Sequence, residues 1–163
     1  MSTCGVALDP SGNLLIADTT HNLIRVVAAA TGTFYGQAMQ ARHIYMVAGN
    51  GHCGFSGNGG PATAARLHSP EAAAVDAAGN VLIADFENNQ VRVVAASTGT
   101  FYGQAMTAGD IYTIAGKRKA GFVGDGGPAR RAYLDGPRSV AVNAAGNLLI
   151  SDWGNSRIRM ITG

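Results

Sequence analysis

The sequence predicts an all-β fold of repeated, stacked sheets, and three observations carry that expectation. A single period runs through the chain: Asp9, Asp76 and Asn143 are each 67 residues apart, as are Asp18, Asp85 and Asp152, and Arg25, Arg92 and Arg159. Within each period the apolar residues fall into short runs of strand length divided by Gly, Asn, Asp and Pro, with no helix of useful length. Those runs are apolar on both faces, so each sheet must be covered on both sides. Radial stacking of four-stranded sheets does this, and the predicted class is therefore β-propeller blades of four antiparallel strands, about two and a half blades in an incomplete ring. The expected units are residues 1–67, residues 68–134 and a partial third unit at 135–163.

The first strand of each unit is Val6-Ala7-Leu8, Ala73-Ala74-Val75 or Val140-Ala141-Val142. It runs into a turn such as Asp9-Pro10-Ser11-Gly12-Asn13, where the Asp can accept local backbone hydrogen bonds and the Gly can take positive φ. The second strand is Leu14 to Ala17, matched by Val81 to Ala84 and Leu148 to Ser151. A turn through Asn22, Asn88-Asn89 or Asn155-Ser156 leads to the third, Ile24 to Ala28, Val91 to Ala95 and Ile158 to Ile161. The fourth is Ile44 to Val47 and Ile111 to Ile114, and the third unit stops before it. After the fourth strand, Pro61 and Pro128 are each placed to open one helical turn.

Residues 12 to 18, Gly-Asn-Leu-Leu-Ile-Ala-Asp, followed by Asn22 and Ile24-Arg25-Val26-Val27, resemble the NHL repeat, and Gly146 to Asp152 with Asn155-Ser156-Arg157-Ile158-Arg159 matches it best. The Gly-rich segments Ala48 to Ala62 and Ala115 to Ala129 are similar to those joining blades in long bacterial NHL arrays. The resemblance implies a propeller of this family, with loops added to a blade that usually spans roughly 40 to 45 residues. It also implies a non-catalytic binding or scaffolding module for protein or glycan ligands. The alternative it leaves open is part of a propeller lyase or hydrolase, with a metal-assisted site completed by other blades.

Composition narrows the partners. A formal charge of +2 and 13% charged residues do not favour nucleic acid, which needs clustered Lys and Arg. The basic run Lys117-Arg118-Lys119 reads as a solvated loop. No apolar segment approaches the length of a membrane span. Met1-Ser2-Thr3 leads into repeat sequence with no signal peptide, so the chain reads as cut into a larger array, and the extracellular setting of bacterial surface arrays is an expectation from resemblance alone. Closing the ring requires self-association or further blades.

Candidate chemistry is sparse. Gly49 to Gly54 fits GxGxxG, but the segment continues into further glycines rather than a helix, and the second copy loses the central Gly, so an inter-blade loop is the better reading. Cys4 and Cys53 read as incidental small residues. Asp125 suits a turn rather than a calcium loop, since Asn58 stands at its place in the first unit. His21, His43, His52 and His68 lack metal-ligand spacing, and no cofactor, metal or catalytic residue is assigned. The recurring Asp18, Asp85 and Asp152 are expected to organise the turn after the second strand. Arg25, Arg92 and Arg159 are expected to be satisfied by a carboxylate or carbonyl at the blade edge. The candidate ligand-binding residues are Phe34, Tyr35 and Gln37 with Phe101, Tyr102 and Gln104, in nine-residue segments identical between the first two units. Those aromatics could equally pack on their own blade.

Overall fold

The computed structural model describes residues 5–162. In the first unit β1 (Val6–Leu8), β2 (Leu14–Asp18) and β3 (Leu23–Val27) are followed by a small hairpin, β4 (Gly32–Phe34) and β5 (Gln37–Met39), and by β6 (Ile44–Ala48). A short β7 (Gly60–Pro61) leads to the second unit: β8 (Pro70–Val75), β9 (Val81–Asp85), β10 (Gln90–Val94), hairpin β11 (Gly99–Phe101) and β12 (Gln104–Met106), then β13 (Asp110–Ala115). The third unit contributes β14 (Pro137–Val142), β15 (Leu148–Asp152) and β16 (Arg157–Ile161).

The sheet orders are β1-β2-β3-β6, β8-β9-β10-β13-β7 and β14-β15-β16, every pairing between named strands being antiparallel. The chain is thus all-β and built of propeller blades. β7 is a consequence of connectivity that the sequence reading did not include. The loop leaving blade one crosses to blade two and adds a fifth strand outside β13, with Gly59 N–H donating to the Ile111 carbonyl and Ala62 N–H to that of Gly109. Pro61 and Pro128 each precede one 3-10 turn, Ala62–Ala64 and Ala129–Arg131.

The third strands begin one residue earlier than expected, at Leu23, Gln90 and Arg157, because the residue before each is left-handed: Asn22, Asn89 and Ser156 have φ of 56°, 54° and 53°. An Asn adopts this conformation more readily than most residues. Its amide also ties blades together: Asn22 Oδ1 accepts Ser69 N–H at 2.9 Å and Asn89 Oδ1 accepts Gly136 N–H at 2.8 Å.

Strand alternation splits each blade into two faces. Leu15, Ala17, Ile24 and Val26 of blade one meet Ala73, Val81, Ile83, Val94 and Ile111 of blade two in one core. Leu82, Ala84, Val91 and Val93, on the other face of blade two, meet Val140, Leu148 and Ile150 of blade three in a second. Each fully buried aliphatic side chain contributes roughly 1.5–3 kcal/mol of transfer free energy, so these dry interfaces hold the blades in register. The outward faces carry the same pattern uncovered: Val6, Leu8, Ile44 and Met46 on blade one, Ile158 and Met160 on blade three.

Candidate functional site

The hairpins β4-β5 and β11-β12 are closed by the two-residue turns Tyr35-Gly36 and Tyr102-Gly103, all four residues at positive φ between 50° and 75°. This is the turn conformation that Asn-Gly usually fills, because it matches the twist of the strands. Tyr stands there because its hydroxyl is anchored: Tyr35 Oη donates to Asp9 Oδ2 at 2.6 Å, and Tyr102 Oη to Asp76 Oδ2 at 2.8 Å. The same carboxylates organise the turn between the first two strands. Asp9 accepts the backbone N–H groups of Ser11 and Asn13 and the Asn13 amide, each at 2.8 Å. Asp76 does likewise with Ala78 and Asn80. Burial and the neighbouring carboxylate push both phenols well above the ordinary tyrosine range. The hairpins are therefore pinned to their own blades, and Phe34, Tyr35, Phe101 and Tyr102 pack half-buried against the two cores.

Pinned in this way, each hairpin makes one wall of a groove whose other wall is the first turn of the following blade. The first groove, about 350 Å³, lies between Thr33, Phe34, Tyr35 and Ser11 on one side and Ala77, Ala78 and Gly79 on the other. The second, about 690 Å³, lies between Thr100, Phe101, Tyr102 and the Asp76 turn on one side and Val142 and Gly146 on the other, with Arg130 at its rim. Ala77 and Ala78 line both.

The structure does not bring the candidate amides into these grooves with the aromatics. Gln37 donates to the Met46 carbonyl at 2.8 Å and lines another open cavity with Met46 and Thr63, which Tyr35 borders as well as the first groove. Gln104 donates to the Thr113 carbonyl at 3.3 Å and accepts from Arg130 at 2.8 Å in another. Sequence reasoning found the Asp9 turn and its backbone hydrogen bonds but missed that Asp9 and Asp76 also hold the tyrosines and that the Ala77-Ala78 turn walls the grooves.

The repeated Asp and Arg sit away from the hairpins and join blades. In blade two, Asp85 accepts His68 N–H at 2.7 Å and the Asn88 amide at 2.8 Å, and lies 3.9 Å from Arg92. Arg92 donates to the carbonyls of Arg66 and Ser56 at 2.9 Å and to Asn58 Oδ1 at 3.1 Å, all on the Gly-rich loop of the preceding unit. Arg159 repeats the pattern on Tyr133, Val123 and Asp125, with Asp152 at 3.6 Å. Asp125 is thus more than a turn residue: it pairs with Arg159 at 2.6 Å. In blade one, Arg25 pairs with Asp18 at 3.0 Å and Asp18 also holds His21. A β-bulge at Ile24/Arg25 and again at Val91/Arg92 turns the strand at the arginine. Burial raises the Asp85 carboxyl to about 6 against the pull of its donors and of Arg92, and lowers Arg92 to about 10.

The basic run lies exposed, as a solvated loop does, and two of its cations rest on aromatic rings. Arg118 lies over the Phe55 ring at 4.5 Å and Lys119 over Tyr133 at 5.2 Å. Among the described residues, no three His, Cys, Asp or Glu side chains gather as a metal site would require, and Cys53 is a free, exposed thiol. Cys4 lies outside the described residues. No helix among them is long and apolar enough to cross a membrane.

Stacked blades in a constant register, tied by an arginine that grips the preceding loop, define a β-propeller repeat protein. The NHL-repeat family model matches residues 67–94 and 134–159, so those two stretches of the chain carry NHL repeats. It is 34% identical to human teneurin-1 over 106 residues and 36% identical to human teneurin-4 over 107, about 60% of this chain but 4% of either protein. Among solved structures it resembles an auxiliary nutrient binding protein of Bacteroides ovatus, with a TM-score of 0.70 and 22% identity over 98% of this chain and 37% of that one. A protein of the same description from Bacteroides thetaiotaomicron gives 0.64 and 19%, covering 96% and 36%. The likeness at these identities is one of fold, and the chain spans about a third of those structures.

Proposed function

We propose that this segment is a non-catalytic binding module whose inter-blade grooves receive an extended glycan or peptide. The observation that carries the reading is the repetition of one groove between blades one and two and again between blades two and three. Each is walled by a Thr-Phe-Tyr tip that cannot collapse because its hydroxyl is held by an aspartate. A half-exposed aromatic edge beside fixed backbone turns suits stacking and hydrogen bonding to a repeating ligand. The description of the Bacteroides neighbours as nutrient binding proteins supports a binding role.

The test uses Ala78→Trp, an exposed position lining both grooves, which should fill them without touching either core. Ligand-observed NMR with a panel of neutral oligosaccharides and extended peptides should show binding to the natural chain and its loss in the variant. Binding that survives would remove the grooves from the function. The uncovered faces of blades one and three are read as places for further blades or a second copy. Light scattering that gives a monomer with Ile158–Ile161 unprotected from hydrogen exchange would rule out closure by this chain alone.

A further inference from the structure

Beside sites that recur with the repeat, a site peculiar to one blade would stand out as a place where several positions leave the repeat together. One such place borders β13, in an open cavity of about 320 Å³ apart from the hairpin grooves except for the shared Arg130. Five of its lining residues differ in kind from their blade-one equivalents. Gln90 replaces Leu23, Thr113 replaces Met46, Lys117 replaces Asn50, Arg118 replaces Gly51 and Arg130 replaces Thr63. Every change adds a polar group or a positive charge, and no carboxylate lines the cavity.

The groups are held rather than scattered. Arg130 is fixed on Gln104 at 2.8 Å, and Arg118 is stacked on Phe55. Gln90 and Thr113 are buried polar residues, linked to Asn58 and to the Gly116 carbonyl. Arg118 also has a left-handed φ of 57° where blade one has a glycine at 85°, so the charge sits on a backbone that would favour glycine. Three cations around a floor of amide and hydroxyl groups suit a ligand with more than one anionic group and hydroxyls between them.

We propose that this cavity binds an anionic saccharide, one bearing sulfate esters or carboxylates. The assignment is independent of the inter-blade grooves, and Ala78→Trp should leave it intact.

Calorimetric titration of the full chain at physiological salt with a heparin-derived hexasaccharide should show saturable binding, at least ten-fold weaker for the desulfated, N-acetylated hexasaccharide. Lys117→Asn/Arg118→Gly, which installs the blade-one residues, should weaken binding at least ten-fold while circular dichroism and the urea midpoint show the fold retained. Arg130→Thr should weaken it further. Lys119→His/Arg131→Ala removes the same number of charges outside the cavity and should leave affinity within two-fold. Equal losses in the two double variants would overturn the proposal, since net charge would then explain the binding. Equal affinity for single-stranded DNA of matched charge, or for a phosphoserine peptide, would also overturn it, as would no binding at all.

Discussion

Arg92 and Asp85 lie 3.9 Å apart with neither side chain reached by solvent, and both terminal nitrogens of the guanidinium donate to the loop of the preceding blade. The pair is thus both a contact within blade two and the clasp between two units. Removing the arginine strands a buried carboxylate and two loop carbonyls. Arg92→Ala should cost about 3–5 kcal/mol. Arg25→Ala, at a side chain that is 36% exposed, should cost within about 1 kcal/mol. Urea unfolding of the two variants measures the contrast, and similar losses would mean that the clasp adds nothing.

The same carboxylate sets a pH dependence. Its native value, raised to about 6 from 3.8, means the folded chain holds that proton more tightly than the unfolded one. Stability from this group is then fullest below about pH 4 and declines as pH rises to about 6. In Asp85→Asn that component of the slope should vanish, leaving a flatter urea midpoint between pH 4 and 7. An unchanged slope would place the native carboxyl near its ordinary value.

The hairpin anchors predict an optical signature. The chain has five tyrosines, and Tyr35 and Tyr102 donate to carboxylates that would repel a phenolate. Spectrophotometric titration of the folded chain into alkali should leave these two phenols un-ionised through the ordinary tyrosine range. Tyr102→Phe should remove one of them and lower stability by about 1 kcal/mol. Ionisation of Tyr35 and Tyr102 within the ordinary tyrosine range in the folded chain would contradict the bonds.

Gly116 closes blade two against the turn after β9, where an added Cβ would run into the Asn89 carbonyl oxygen, and its φ is +86°. Gly116→Ala should therefore cost more than about 3 kcal/mol, because backbone meets backbone and neither can swing away. Gly103→Ala, at a hairpin tip with open space around it, should cost only the strain of its φ of 70°. Thermal unfolding of both separates the two effects.

The blades were legible in the sequence because a repeat exposes its own register: once Asp18, Asp85 and Asp152 align, the main strands of each blade follow, though the crossing strand β7 does not. The grooves were not. Their walls come from different units, Phe34 from one and Ala78 from the next, and no periodicity within a unit brings those together. The direction of the hairpin tip was equally hidden, since it depends on Tyr35 tolerating positive φ in exchange for a bond to Asp9. Gln37 and Gln104 looked like site residues because they neighbour the aromatics, yet each amide is spent on a strand carbonyl of its own blade, that of Met46 or Thr113. The basic cavity joins Lys117 and Arg130 around β13, and its only trace in the sequence was a set of departures from an otherwise faithful copy.

Each arginine clasp reaches back the same distances along the chain, 26, 34 and 36 residues, in blade two and in blade three. A gene rearrangement that adds or removes one whole period therefore rebuilds every junction with like partners. A change of length between a gripped loop and its arginine sets the guanidinium opposite the wrong carbonyl. The clasp thus ties the geometry of each junction to one stretch of chain, from Ser56 to Arg92 and from Val123 to Arg159, while the hairpins outside those stretches can change length without moving a guanidinium off its partners.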